Sequence, residues 1–489
     1  MQEESLRPSD WRNPTPPDRY DLVVVGAGPG GLGAATGAAA LGARVALIER
    51  DRLGGTCLNT GCVPSKAIIR TSRLYAEMRD AERYGARIPA DIHVDFSALM
   101  ERMRRIRART VRPVSAQRLT AAGVDVFLGG ARFTGNDTLA VESTKVRFKK
   151  AVIATGSRPE LPDVPGLVEA DLLTNENVFD MTELPRRLLV VGGGPLGCEL
   201  AQAFGRLGAR TVIVQHLPLF LPKEERDAAQ ILSEAFARDG IEVRLNTRPV
   251  DVRSEDGLRK VELLSDDYRS TVVVDQILAG VGRLPNVEGM DLEAAGVAYD
   301  AAAGIRVDDF LRTSNPRIYA AGDACLEHKH TQTADASARI VVQNALGRAR
   351  QRVSALVIPW CTYTDPEIAH VGLYVRQANE QGIPVKTFTV PMHELTRAIT
   401  DGEETGFVKI HVEEGTDRIL GATIVARHAG EMINEISLAM VAGIGLRTLS
   451  RVIHPYPTQA EAIRKAADAC SRAPSRRTLR SLLRRWRAW

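Results

Sequence analysis

An α/β fold is predicted by three features of the chain. A strand, a Gly-x-Gly-x-x-Gly turn, a small-residue helix and a second strand occur twice, from Asp21 to Glu49 and from Arg187 to Val214. Two cysteines set among glycines follow the first copy, in the run Gly54 to Lys66. A third region, Ile358 to Ala467, mixes β-branched strands with helices. The two turns imply two Rossmann-like nucleotide-binding domains, and the third region an α+β domain after them.

The first turn follows a buried strand, Leu22 to Val25, and is built from Gly26, Gly28 and Gly31. The first glycine makes the tight turn, the second lets a pyrophosphate reach the backbone, and the third lets helix pack on strand. The following helix offers its N–H groups and positive dipole end to phosphate. The strand Val45 to Ile48 ends at Glu49, where a carboxylate can bind ribose hydroxyls.

Cys57 and Cys62 come next, in GGTCLNTGCVPSK. On a regular helix their spacing is a rise of about 7.5 Å and an angular offset of roughly 140°, beyond the ~7 Å Cα limit for a disulfide. If they bond, the backbone between them leaves the helix. Gly54, Gly55, Gly61 and Pro64 supply that irregularity. The alternative is two inert core thiols.

A helix is expected from about Ala67 to Arg83, and another from Phe96 to Arg118 with an interruption at Pro113. The second carries Arg102, Arg104, Arg105, Arg107, Arg109 and Arg112. With no nucleic-acid module beside them, these read as a solvated face. Ala151 to Pro159 is a strand entering a Thr155-Gly156 turn. The second nucleotide turn uses Gly192, Gly194 and Gly197. Its second strand is followed by Gln215 and His216 rather than an acid, which removes repulsion against a 2′-phosphate and favours NADPH over NADH. Lys223 and Arg226 lie near. Ile318 to Ala321 is a strand running into Gly322 and Asp323, and Cys325 reads as core. A helix spans Thr333 to Leu346, and a hairpin Phe407 to Ala426.

With 489 residues the chain is too long for one core. Its 44% hydrophobic and 25% charged content is that of a soluble globular protein. Six cysteines in this length are no secreted disulfide framework and suggest a reducing, cytoplasmic setting. The first 18 residues read as a disordered or loosely packed arm, neither signal peptide nor membrane span. At the other end Leu479, Leu482, Leu483 and Trp486 share a helical face among arginines. This 475–489 tail reads as an anchor at the inner membrane surface or a segment docked on the protein itself.

GGTCLNTGCVPSK closely resembles the disulfide segment of the class I pyridine nucleotide-disulfide oxidoreductases, which include dihydrolipoamide dehydrogenase, glutathione reductase and mercuric reductase. The resemblance implies FAD at the first turn, NADPH or NADH at the second, and a redox-active Cys57–Cys62 disulfide. Cys62 would face the flavin and Cys57 would exchange with the acceptor. It also implies that Gly55, Thr56, Thr155, Gly156, Gly282, Gly322 and Asp323 contact a cofactor, Asp323 at the ribityl or phosphate part. Glu199 would pair with Lys66 beside the flavin, and Pro195 replaces the tyrosine that covers the flavin in some relatives. The implied organisation is a flavin domain of residues 19–158 and 280–350, a nicotinamide domain of 159–279, and an interface domain of 351–470 that makes a homodimer.

One departure is informative. Dithiol-disulfide members of the family carry a histidine base in His-Pro-Thr, followed by a glutamate, acting from the other subunit. Here the triplet is Tyr456-Pro457-Thr458, with Glu461 at the glutamate's place. A phenol is a poor proton carrier at neutral pH. His454 stands two positions away, on the same side of an extended segment, so the two residues are expected to flank one site. Tyrosine at this place is similar to mercuric reductase. A soft metal needs thiolates and a weak oxygen ligand more than a base, so Cys57, Cys62 and Tyr456 are candidate contacts for a substrate metal, and no structural metal is expected. No Cys-x-x-Cys pair precedes the first strand, and Cys470 is single. The competing readings are a lipoamide- or glutathione-type disulfide reductase with His454 as base, and a membrane-associated electron-transfer partner or redox sensor.

Overall fold

The computed structural model describes residues 10–89, 92–347 and 350–473. The chain divides into two compact units. The first holds residues up to Gly197, Arg206–Ala209 and Pro249–Leu356; the second holds Cys198–Gly205, Arg210–Arg248 and the chain from Val357 on. The segment 159–279, expected as one domain, is distributed between them. The 475–489 tail lies outside the described residues, among which no helix is long and apolar enough to cross a membrane.

The first unit is built on a seven-stranded sheet. Strand β1 (Tyr20–Val25) leads through the glycine turn to helix α1 (Pro29–Ala40) and strand β2 (Val45–Glu49). Helices α2 (Gly55–Asn59), α3 (Cys62–Arg79) and α4 (Phe96–Val111) follow. Then come strands β3 (Val124–Leu128), β4 (Ala131–Gly135), β5 (Thr138–Val141) and β6 (Thr144–Ile153). Strand β7 (Ile318–Ala320) and helix α5 (Thr331–Leu346) close the unit. The sheet order is β3-β2-β1-β6-β5-β4, with β7 also on β6.

The parallel part is in register, with Val23 opposite Ala46 on one side and Ala151 on the other. Alternate side chains enter opposite faces. Leu22, Val24, Leu47, Val126 and Val152 belong to one core, and Val23, Val25, Ile48, Phe127 and Ile153 to another. Burial on both faces explains why these strands read as continuous apolar runs. Helix α1 meets α5 through its glycines: a Cβ on Gly30 would stand 3.3 Å from the carbonyl oxygen of Ala334.

Three local expectations are corrected. Residues 10–18 are not a loose arm, because Asn13 donates to the carbonyl of Leu128 (3.1 Å) and accepts its N–H (2.7 Å), and the Trp11 indole donates to Val126 O (3.3 Å). Helix α3 starts at Cys62 rather than Ala67, since Pro64 falls in the first turn, where its missing N–H has no intrahelical partner to lose. The arginines of α4 are not simply solvated. Arg102 donates to Ala67 O (3.1 Å), Arg104 to Met181 O and Arg107 to Asn59 O (both 3.3 Å). The break near Pro113 is present as a short 3₁₀ turn, Arg112–Val114.

The second unit carries a five-stranded antiparallel sheet. Strands β8 (Pro359–Thr362), β9 (Glu367–Gly372), β10 (Val385–Pro391), β11 (Phe407–Glu413) and β12 (Ile419–Ala426) lie in the order β8-β9-β12-β11-β10. Helices α6 (Ala429–Val441) and α7 (Glu461–Arg472) share its core. A buried polar cluster sits beside this sheet. His370 bonds the Thr423 hydroxyl (2.8 Å) and stacks on Tyr374 at 3.6 Å. Tyr374 in turn donates to Glu224 (2.7 Å). Burial pushes the His370 imidazole down to about 3, so it is neutral in the fold.

Two outcomes follow. Asn13→Ala removes both ties to Leu128 and costs roughly 1–3 kcal/mol, read as a lower unfolding midpoint and proteolytic clipping confined to residues 10–18. The depressed His370 stabilises the fold fully above its unfolded value of 6.5, and that stability is lost as pH falls toward 3. The slope is about 1.4 kcal/mol per pH unit. His370→Gln flattens the decline in thermal midpoint between pH 6 and 4.

Candidate active site

The first nucleotide turn is shaped by close backbone approach. Gly26 has φ +99°, and a Cβ on it would stand 2.4 Å from Ala154 O. A Cβ on Gly31 would stand 1.7 Å from Gly26 O. Gly28 differs: its nearest neighbour would be Gly55 Cα at an ordinary 3.8 Å. Gly28 caps α1 with no side-chain hydrogen bond, and Pro29 fills the first helical position. The helix end thus presents backbone N–H groups over an open glycine surface, a fit for a pyrophosphate. Glu49 braces the turn, accepting from the N–H groups of Ala27 (2.7 Å) and Asp51 (2.8 Å). Burial raises its carboxyl above the usual range, against the pull of those two bonds.

The second turn repeats the first. Gly192 has φ +104°; its Cβ would meet Gly280 O at 2.5 Å, and that of Gly197 would meet Gly192 O at 2.1 Å. Gly194 again has only an ordinary contact, at 3.7 Å. Pro195 opens the helix Pro195–Leu207, which carries Glu199. The Glu199 carboxylate is buried and accepts the N–H of Tyr363 (2.9 Å). Gln215 is buried, its backbone joined to Arg244 O and to Thr247 N (2.9 Å each). Arg226, near the place of a 2′-phosphate, is committed elsewhere. It donates to the carbonyls of Phe220 (3.0 Å) and Glu224 (2.8 Å) and to Leu221.

The cysteine segment is two helices with a break. Gly54 and Gly55 have φ +95° and +59° and start α2, which carries Thr56 and Cys57. At Gly61 the backbone (φ −141°, ψ −114°) leaves the helix, and α3 restarts with Cys62. Lys66 follows one turn on. Both cysteines are thiols in this structure. A hydrogen bond to Cys62, then burial, then the charge of Cys62 push the Cys57 thiol upward, while Thr331 and Lys66 pull it down. The Thr331 hydroxyl lies 3.6 Å from Cys62 Sγ. The net effect holds the Cys57 thiol well above the ordinary thiol range.

Asp323 lies in a turn after β7 and accepts from the Ser157 hydroxyl (2.6 Å). Arg283 joins this group: it donates to Ser157 Oγ (2.8 Å), Ser157 O (2.7 Å) and Asn175 Oδ1 (3.1 Å). Its guanidinium also attracts Asp323 and Cys62. Asn175 donates to Thr60 O (3.2 Å), at the break between the cysteine helices. Thr155 donates to Asn286 O (2.7 Å), and Gly156 (φ +69°) has open space around it. A Cβ on Gly282 would stand 2.5 Å from the Glu160 carboxylate, a side-chain end that can move aside. Gly322 has φ +67°, and a Cβ there would press on Ala334. Cys325 is core-lining, with burial pushing its thiol to about 12. Arg283, Asn175 and Thr331 were not singled out from the sequence. Arg283 directly follows Gly282, so a signal existed; Thr331 had none.

In the second unit, His454, Tyr456 and Glu461 line one cavity of about 270 Å³, as the two-residue spacing anticipates. Their availability differs. His454 turns its Nε2 to Glu435 (3.1 Å), and its side chain is 7% exposed. Tyr456 is 71% exposed and bonds Thr396 (3.2 Å). Glu461 pairs with Arg464 on its own helix (2.7 Å).

Residues 20–338 match the pyridine nucleotide-disulphide oxidoreductase model, and residues 358–467 match that family's dimerisation domain. Mercuric reductase of Lysinibacillus sphaericus is 33% identical over 92% of this chain and 82% of its own length. Dihydrolipoyl dehydrogenase of Thermus scotoductus is 34% identical over 92% and 97%. The Cu(II) complex of the HOCl-induced flavoprotein disulfide reductase of Escherichia coli superposes with a TM-score of 0.83 at 27% identity, over 93% of this chain and 100% of that one. With two glycine turns, a dithiol at a helix break and these matches, the chain belongs to the pyridine nucleotide-disulphide oxidoreductases, FAD-dependent enzymes with NAD(P)H as electron donor.

The glycines separate fold from ligand binding. Gly31→Ala forces a backbone collision and is expected to yield little folded protein. Gly28→Ala meets no collision, so its unfolding free energy without cofactor should stay within about 1 kcal/mol of the parent while FAD retention on a desalting column falls. Equal losses in both variants would show that Gly28 is only structural.

Proposed function

We propose that this oxidoreductase passes electrons from NADPH, through FAD and the Cys57–Cys62 pair, to a soft metal ion such as Hg(II) or a related thiol-bound metal. The observation that carries this reading is the unequal presentation of Tyr456 and His454. The phenol is exposed and lines the cavity, whereas the imidazole is turned into Glu435. A phenol serves a metal as a weak oxygen ligand, but serves thiol exchange poorly as a base.

Bound at the first glycine turn, FAD would supply a hydride acceptor for the nicotinamide and a two-electron donor for the sulfur pair. The chain's own groups prepare the site. The α1 N-terminus and Gly28 receive the pyrophosphate, Asp323 offers acceptors to polyol hydroxyls, and Glu49 offers one to ribose. Cys62 lies beside the Thr331 hydroxyl and within the field of the Arg283 guanidinium. Cys57 keeps the proton until the acceptor arrives, and releases it when its sulfur binds. The missing acid after the second turn supports NADPH over NADH through lost repulsion alone, since Arg226 is occupied. Exposed Leu438, Val441 and Ile453 in the dimerisation domain support a homodimer.

The test is NADPH and NADH oxidation by the FAD-loaded enzyme with Hg(II) in excess thiol, lipoamide or glutathione disulfide, and Cu(II), prompted by the copper complex of the Escherichia coli relative. Metal-dependent turnover is expected, falling at least 100-fold in Cys57→Ser and roughly 10-fold in Tyr456→Phe. Disulfide turnover without metal turnover would overturn the reading, and its loss in His454→Gln would then identify His454 as the base.

A further inference from the structure

The segment Glu327-His328-Lys329-His330 runs between Asp323 and the start of α5. It is rich in metal-ligating side chains, and the reading above gives it no role. His330 has φ −128° and ψ 149° and returns its N–H to the carbonyl of His328 (3.0 Å), a tight turn that brings the two residues together. The two imidazoles accordingly stack, with ring centroids 6.4 Å apart and planes 20° from parallel. Lys329, between them, turns the other way, its ammonium against the carbonyls of Asp323 (3.4 Å) and Leu326 (3.3 Å). His328 is exposed and His330 half-buried. The next residue is Thr331, whose hydroxyl lies 3.6 Å from Cys62 Sγ. One peptide unit, about 3.8 Å between Cα atoms, therefore separates a solvent-facing imidazole pair from the group that touches the dithiol.

We propose that His328 and His330 form a two-imidazole landing site that takes a borderline-to-soft metal ion, Cu(II) foremost, from solvent and passes it to the Cys57–Cys62 thiols. This rests on the metal-acceptor reading and narrows it to ions that bind both nitrogen and sulfur. Imidazole suits copper, and thiolate outcompetes it for soft ions, so the gradient runs inward. Among the described residues no group of three or more His, Cys, Asp or Glu is arranged to hold a metal. Two ligands on a surface segment capture an ion without trapping it. At the transfer a metal–nitrogen bond breaks as a metal–sulfur bond forms, and the proton leaving the thiol goes to the vacated imidazole. No electron moves in this step.

The test uses the full FAD-loaded chain with Cu(II) chloride as probe. In Cys57→Ser/Cys62→Ser, where only nitrogen and oxygen ligands remain, one Cu(II) should bind with nitrogen hyperfine structure in its paramagnetic resonance spectrum. Adding His328→Ala/His330→Ala should remove that signal. With the thiols intact, His328→Ala/His330→Ala should raise the KM for Cu(II) about tenfold, with kcat within about twofold and NADPH reduction of the flavin unchanged. An identical spectrum with and without the two imidazoles, or an unchanged KM, would overturn the proposal. Persistence of the imidazole signal in an enzyme that turns over no metal would sink the metal-acceptor reading and leave the binding site standing. Metal turnover without the signal would do the reverse.

Discussion

The site depends on one interruption of the backbone. Two sulfurs five residues apart meet only if the helix between them stops and restarts, and it does so at Thr60–Gly61. A Cβ on Gly61 would stand 2.9 Å from Thr56 O, so the break tolerates no larger residue without a shift. Breaking a helix strands carbonyls that must find donors elsewhere. Asn59 O takes Arg107 from α4, Thr60 O takes Asn175, and Gly61 O accepts the N–H of Ser65. The Asn59 side chain reaches back to Leu53 O (3.0 Å) and Gly55 O (2.9 Å), tying the segment to the glycine turn. The arginine-dense helix therefore helps hold the cysteine segment through Arg107.

Arg283 extends the same support. Its guanidinium spans Ser157, Asn175 and Asp323, and through Asn175 it reaches the break. Burial lowers its affinity for a proton, and the neighbouring Asp323, Glu176 and Cys62 offset only part of that. A buried cation that is kept must be paired. Here the neighbours are Asp323, Glu176 and Cys62, so folding of the unit and charge at the site are coupled through one side chain. The electrostatic order at the sulfurs follows: the more buried Cys57 keeps its proton and donates it, while Cys62 sits near positive charge.

The acceptor side is organised differently. His454 and Tyr456 share a cavity, as alternation along an extended segment requires, yet their neighbours divide their roles. Glu435 on α6 captures the histidine, and nothing near in sequence to His454 announces that carboxylate. Glu461 sits where a base's partner is expected but serves Arg464 on its own helix.

The sequence by itself determined the parts whose geometry is local. Glycine spacing set both nucleotide turns, because a Cβ at the first or third glycine meets backbone within a few residues or the adjoining strand end. Continuous apolar runs set the parallel strands, because both faces of that sheet are buried. Glycines around the cysteines set the helix break. Tertiary structure alone decided what depends on partners far along the chain. Asn13 on Leu128, Arg107 on Asn59, Arg283 on Ser157 and Thr331 beside Cys62 each join residues that no local period links. The fate of Arg226 was likewise a matter of loop geometry, since the carbonyls of Phe220 and Glu224 claimed a guanidinium that composition alone left available. Short-range sterics are written in residue type and spacing; the pairing of buried polar groups is settled only when the sheet and helices bring them within hydrogen-bond reach.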